Sequence, residues 1–230
     1  MRLTENVEML EVKLPNGGIY HPTLTWDATH LVLFDTGTPD AVPYFINAIK
    51  AAGFNPKDLT DIILTHQDLD HIGGTLDLLK MAPNAKVYAY EVDAPFIEGK
   101  EMPTKLARQE QRLKSGEITE TDPFYHFLKE GFSKVYLTVD VKLSDNEALD
   151  FCGGITTIFT PGHTPGHATF YLNSSKLMIC GDAANVEANK LIGSNPAMTW
   201  DNEQAEQSLA KIKSYNLNGA ICFHTGFLKL

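Results

Sequence analysis

Short apolar, β-branched runs recur along the chain at Leu31 to Phe34, Ile62 to Leu64, Lys86 to Tyr90, Ile155 to Phe159, Thr169 to Leu172, Leu177 to Cys180 and Ala220 to Phe223. Each is bounded by Gly, Pro, Asp or Asn and is strand-length, so the pattern predicts strands. Helical patterns lie between them at Ala41 to Ala52, Ile72 to Met81 and Asn202 to Tyr215, the last with Leu209, Ile212 and Tyr215 on one face. Some strands are joined by short turns such as Asn173 to Lys176 and others by helices. Hairpins mixed with crossovers predict an α/β fold of two mixed sheets with helices on the outer faces.

The long polar stretch from Glu91 to Phe132 contains KLARQEQRLKSGEITE and then DPFYHFLKEGF. Its helix formers are interrupted at Ser115 and Gly116 and again at Pro123, which predicts two helices. The segment reads either as a surface connection or, since insertions of this length inside a compact domain are often functional, as a helical cap over a pocket at about residues 91–132, and the cap is the expectation. Phe124, Tyr125 and Phe127 are its candidate pocket-facing residues.

Composition narrows the classes. A chain of 230 residues with 43% hydrophobic and 21% charged positions reads as one globular domain spanning 1–230. Nineteen Lys and Arg against 29 Asp and Glu leave a net charge of -10, which opposes binding to a phosphate backbone, so no nucleic-acid partner is expected. Mean hydropathy is -0.16 and no run approaches the roughly 18 apolar residues of a membrane span, so no membrane partner is expected either. The first residues, MRLTENVEMLEVKLPNGG, lack an apolar stretch with a cleavage site, and a cytoplasmic location is the expectation. Cys152, Cys180 and Cys222 are odd in number and sit in or beside strand-like runs, which predicts reduced, buried thiols.

The strand ending at Leu64 runs into Thr65-His66-Gln67-Asp68-Leu69-Asp70-His71 and then a helix. Side chains two apart in extended backbone point the same way, so His66 and Asp68 form one candidate metal-binding set. Asp70 and His71, past the bend, can address a second point about 3.5 to 4 Å away, the spacing of two-metal hydrolases. Asp70 alone would serve as a helix cap, but two histidines and two aspartates exceed any capping need. Three further candidates also follow strands: Gly162-His163-Thr164-Pro165-Gly166-His167, Gly181-Asp182, and His224. Strand carboxyl ends are where α/β sheets gather binding groups.

These motifs resemble those of the metallo-β-lactamase superfamily from about Leu31 to His224. Asp35-Thr36-Gly37 is similar to its Asp-Thr-Gly segment, His66 to His71 to its His-x-His-x-Asp-His signature, and the 162–167 loop to its Gly-His-Thr-x-Gly-His loop. The stretch Gly53 to Leu59 and the onward spacing to His224 resemble the quorum-quenching lactonase branch most closely. The resemblance implies an αββα sandwich with two divalent metal ions at one sheet edge. One ion would take His66, Asp68 and His163, the other Asp70, His71 and His224, and Asp182 would bridge them. The family usually has histidine at the position of Asp68, and a carboxylate there resembles the diiron branch. Zinc is the first expectation for the metal, with manganese or iron as alternatives.

The expected function is hydrolysis of a small-molecule ester, lactone or thioester by a metal-bridging hydroxide, with Asp70 as the catalytic residue that orients it and collects the released proton. The alternatives are a diiron-type or persulfide-oxidising oxidoreductase, prompted by Asp68, and a phosphodiesterase on the same metals. His167 and Asp35 are expected to orient ligands rather than to ligate. His21, His30 and His126 are expected to be structural.

Overall fold

The computed structural model describes residues 1–230. Its strands are β1 (Arg2–Thr4), β2 (Val7–Met9), β3 (Val12–Lys13), β4 (Ile19–Tyr20), β5 (Thr23–Trp26), β6 (Leu31–Phe34), β7 (Asp61–Leu64), β8 (Lys86–Tyr90) and β9 (Val141–Leu143) in the first part of the chain. They continue with β10 (Ala148–Leu149), β11 (Ile155–Phe159), β12 (Ala168–Leu172), β13 (Leu177–Gly181), β14 (Ala184–Glu187), β15 (Lys190–Gly193), β16 (Gly219–Cys222) and β17 (Gly226–Lys229). The helices are α1 (Val42–Ala51), α2 (Leu69–Ile72), α3 (Thr75–Met81), α4 (Ala94–Ile97), α5 (Thr104–Ser115), α6 (Pro123–Phe132) and α7 (Asn202–Lys213).

One seven-stranded sheet runs β1-β2-β5-β6-β7-β8-β9 and one six-stranded sheet runs β10-β11-β12-β13-β16-β17. The pairs β6/β7, β7/β8, β8/β9 and β13/β16 are parallel and the rest of both sheets is antiparallel. Period-two alternation sets the layers. In β7, Ile63 enters the core between the sheets with Phe34, Phe170 and Ile221, while Ile62 and Leu64 face the helical side with Phe45, Leu78 and Phe132. In β13, Ile179 joins the inter-sheet core, while Met178 and Cys180 pack against Ile212 of α7. Strands covered on both faces must be apolar throughout, which is why these runs show no alternation in sequence. The result is the expected αββα sandwich. All three cysteines are free and buried.

The structure refines three expectations. The helix predicted from Ile72 begins earlier: Leu69 to Ile72 form one turn, a break falls at Gly73 and Gly74, and α3 follows. A Cβ on Gly74 would lie 2.3 Å from the Thr36 carbonyl oxygen, so only glycine lets the chain pass the Asp35–Gly37 loop this closely. In the 91–132 segment, α5 ends at Ser115 with Gly116 in the left-handed region (φ 79), and α6 starts at Pro123 with Asp122 accepting from the Phe124 and Tyr125 amides. Its aromatics do not form a pocket wall together. Tyr125 turns into the core and donates to Glu110 at 2.8 Å, whereas Phe127 remains 48% exposed.

Candidate metal centre

The carboxyl ends of β6, β7, β8, β11, β13 and β16 deliver Asp35, residues 65–71, Asp93, residues 160–167, Asp182 and His224 to one edge of the sandwich. Asp68 occupies the N-cap position of α2 with extended backbone, yet its side chain makes no capping bond. Its Oδ2 instead lies 3.1 Å from His66 Nε2 and 2.9 Å from His163 Nε2. The ligand atoms of His66, Asp68 and His163 all fall within 4.8 Å of one another, as do those of Asp70, His71 and His224, and those of His66, His71 and Asp182. Asp182 faces both clusters: Oδ1 is 3.4 Å from His71 Nε2, and Oδ2 is 3.5 Å from His163 Nε2 and 3.2 Å from His224 Nε2. The structure thus brings all seven sequence-predicted residues together.

A ring of hydrogen bonds holds these side chains. Asp35, with left-handed φ of 58, accepts from the Thr65 amide, from Thr65 Oγ1 and from His71 Nδ1, each at 2.9 Å. Thr65 Oγ1 gives its proton to Asp35 and accepts from His66 Nδ1 at 2.9 Å. This network places a proton on Nδ1 of both histidines and turns both Nε2 atoms toward the site. His167 uses its two nitrogens on Thr160 Oγ1 (3.0 Å) and the Asp182 amide (3.1 Å), so it positions Asp182. Gly181, at φ 51, lies so close that a Cβ would fall 2.7 Å from His167 Nε2. His21 contacts the Phe223 carbonyl at 3.2 Å, and His30 stacks on Phe151.

Two participants escaped the sequence reading. Asp93 is fully buried and accepts four hydrogen bonds, from the Gln67 amide, Gln67 Nε2, Thr164 Oγ1 and the Gly166 amide, at 2.8 to 3.0 Å. It ties the 65–71 loop to the 162–167 loop. The end of β8 was a readable signal for it, since every other group here follows a strand. Lys105, on α5, places Nζ 2.5 Å from Asp68 Oδ2 and 3.3 Å from His163 Nε2. No local pattern announces it. Beside it a cavity of about 520 Å³ is lined by Thr104, Arg108, His163, Met198, Trp200 and Asn202 among others.

The electrostatics are those of crowded carboxylates. Burial would raise Asp68, but the Lys105 ammonium and His66 outweigh it and hold its carboxyl well below the usual range. Burial is likewise overcome at Asp70 by His71 and His224, which hold it at about 2. Burial, reinforced by His71, brings His66 down to about 4. His224 rises to about 9 against its burial because Asp182 and Asp70 face it. Near neutral pH, then, the neutral His66 points a lone pair at an ionised Asp68 only 3.1 Å away. Electron-rich atoms at that spacing repel unless a cation lies among them, and the Lys105 ammonium, 2.5 Å from the same Asp68 oxygen, is the one the chain itself supplies. Asp68 Oδ1, His71 Nε2 and Asp182 Oδ1 are moreover buried with no hydrogen-bond partner, an arrangement that costs about 1 to 3 kcal/mol per group if left unsatisfied. The donor set of imidazoles and carboxylates fits divalent metal ions.

An αββα sandwich with imidazole and carboxylate groups converging on its strand ends defines a metal-dependent hydrolase architecture. The chain belongs to the metallo-beta-lactamase superfamily, whose family model matches residues 17–220. It is 28% identical over 220 residues to the probable metallo-hydrolase YflN of Bacillus subtilis (strain 168), covering 90% of this chain and 79% of that protein. A hydroxyacylglutathione hydrolase of Francisella tularensis subsp. novicida (strain U112) is 27% identical over 192 residues, covering 82% of this chain and 56% of the relative. A crystal structure of a metallo-beta-lactamase family protein from Thermus thermophilus superposes with a TM-score of 0.78 at 26% identity, covering 99% of this chain and 76% of that one. The protein is a metal-dependent hydrolase of this superfamily.

Proposed function

We propose that this protein hydrolyses a small ester, lactone or thioester at two divalent cations, one held by His66, Asp68 and His163 and the other by Asp70, His71 and His224, with Asp182 shared. The observation that carries the reading is the convergence of the ligand atoms of these residues within 4.8 Å in each cluster, with Asp68 Oδ1, His71 Nε2 and Asp182 Oδ1 buried and partnerless. Bound divalent cations would supply a nucleophile generated from water near neutral pH and Lewis-acid polarisation of the carbonyl. Zinc is the first choice on its tolerance of mixed nitrogen and oxygen ligands, with manganese or iron favoured to the extent that Asp68 hardens the first set.

The chain's own groups do the rest. Asp70, ionised and partly open to solvent, is the acceptor for the proton released as the acyl group is cleaved. Asp35 keeps His66 and His71 in the ligating tautomer, and His167 fixes Asp182 through its amide. Substrate enters through the cavity beside His163, with α5 as its cap and Met198 and Trp200 as apolar surface. Thioesters enter the substrate set through the hydroxyacylglutathione hydrolase relative, of whose length the chain spans about half. Lactones enter it on the motif resemblance alone. Lys105 and Arg108 in the cavity wall favour a phosphodiester as the second reading, since both would pair with its charge.

Elemental analysis of protein purified without added metal, followed by a hydrolysis screen over esters, lactones, thioesters and phosphodiesters, tests the reading. Two metals per chain and turnover that is lost to a chelator and restored by a divalent cation are expected. Turnover indifferent to chelation, or none in any class from fully metallated protein, would refute it.

A further inference from the structure

We propose that Lys105 is a tethered cation that competes with metal for the first position, so that the two metal positions load unequally. The inference rests on the two-site reading above. Lys105 reaches Asp68 from α5, a separate element 37 residues further along the chain. Its Nζ donates to Asp68 Oδ2 at 2.5 Å and stands 3.3 Å from His163 Nε2, two of the three groups of that position. Its side chain is only 17% exposed. Ligand–metal distances for imidazole and carboxylate are about 2.0 to 2.2 Å. A metal on Asp68 Oδ2 would therefore sit within about 4.7 Å of Nζ, and two cations at that range in a buried site repel strongly. Nζ must leave before the metal settles. The adjacent cavity, lined by Lys105 itself and by Thr104, Gln111 and Asn202, gives the flexible lysine stem somewhere to go.

The second position has no such occupant. Asp70, His71 and His224 are faced by carboxylates and histidines, and no lysine or arginine forms an ion pair with any of them or with Asp182. The pair also accounts for the departure at Asp68. A carboxylate attracts the ammonium and stays paired with it, whereas an imidazole there would offer one neutral acceptor and no counter-charge. Asp68 and Lys105 are thus a matched couple of opposite charge in this chain.

Calorimetric titration of zinc into metal-free wild-type, K105M and K105R protein tests this, with circular dichroism melts to verify folding. Wild type is expected to show two events at least 10-fold apart in Kd. In K105M the weaker event should tighten by 10-fold or more while the stronger moves less than 2-fold, and K105R, which keeps the charge, should stay near wild type. A wild type that binds one zinc while K105M binds two also supports the proposal. Equal affinities in wild type, or a weaker event that K105M leaves unchanged or loosens, overturn it while leaving two-metal hydrolysis standing. Failure of both proteins to bind more than one zinc overturns the inference and the two-site reading together. Amine acylation read by mass spectrometry gives a second measure: saturating zinc should raise labelling of Lys105 several-fold in wild type and leave that of exposed Lys13 and Lys80 unchanged. No rise at Lys105 would overturn the expulsion step.

Discussion

Replacing Asp35 by Asn isolates the tautomer argument from the ligands themselves. Asn tolerates the left-handed backbone that Asp35 adopts (φ 58), so the loop has no reason to move. The carboxylate accepts three hydrogen bonds at 2.9 Å, and an amide has one acceptor oxygen to offer. If that oxygen serves Thr65, the amide nitrogen confronts His71 Nδ1–H, donor against donor. His71 then escapes only by moving its proton to Nε2, the nitrogen that faces Asp182 at 3.4 Å. A hydrogen bond to a charged acceptor contributes about 1.5 to 3 kcal/mol, which corresponds to about 10- to 100-fold in metal affinity, the range seen when the support of a ligating histidine is removed. The loss should be larger at the His71 position than at the His66 position, because His66 feels Asp35 only through Thr65. Calorimetric metal titration of D35N, with kcat/KM on the best substrate of the screen, measures both. Metal affinities within 2-fold of wild type at both positions would show that Asp35 is a mere packing group and would refute the tautomer argument.

Asp93→Ala leaves four buried donors without an acceptor and should cost about 3 kcal/mol or more, which for a chain of this size lowers Tm by about 6 to 12 °C; a melt within 2 °C of wild type would remove Asp93 as the clamp between the two ligand loops. Asp27→Asn probes pH dependence away from the site. The Cys152, Thr29 and His30 amides hold the Asp27 carboxyl well below its usual range, so its stabilising effect is complete above the unfolded pKa near 3.9 and fades as pH falls toward the folded value. Because Asp27 is about one-third exposed, the effect is screened: D27N should lose about 1 kcal/mol at pH 7, and denaturant unfolding should show the gap to wild type narrowing below about pH 4. A gap constant from pH 7 to pH 3 would contradict the assignment.

What could be read in the sequence follows from burial. The strands β6, β7, β13 and β16 are buried at every residue, and uninterrupted apolar runs announce them. The strands that went unread, β1 to β5, β9, β10, the β14–β15 hairpin and β17, are two to four residues long and, apart from the largely buried β5, partly exposed, too short for a period to show. The site was legible for a related reason. Every one of its seven residues carries a donor side chain just past a strand or within one helical turn of it, so the chemistry lies where the rigid framework ends. Lys105 was not legible, because its position depends on how α5 docks across the sheet edge, a tertiary fact with no trace in local spacing.

Asp68 shows where local and tertiary signals part. By backbone it is the N-cap of α2, and an aspartate there would ordinarily satisfy a free amide of the first turn, worth about 1 kcal/mol. Its side chain forgoes that bond and turns to His66, His163 and Lys105. The helix it opens is one turn long, and that turn is fastened instead by its neighbours: the Thr36 amide and hydroxyl donate to the His71 carbonyl, and the Gly74 amide donates to the Gly37 carbonyl. The Asp35–Gly37 loop therefore does two jobs, sealing a helical turn too short to hold itself and fixing the rings of His66 and His71. With the turn secured from outside, the Asp68 side chain is free for the proposed metal position and for Lys105, the role that its two-residue spacing from His66 predicts and its N-cap backbone does not.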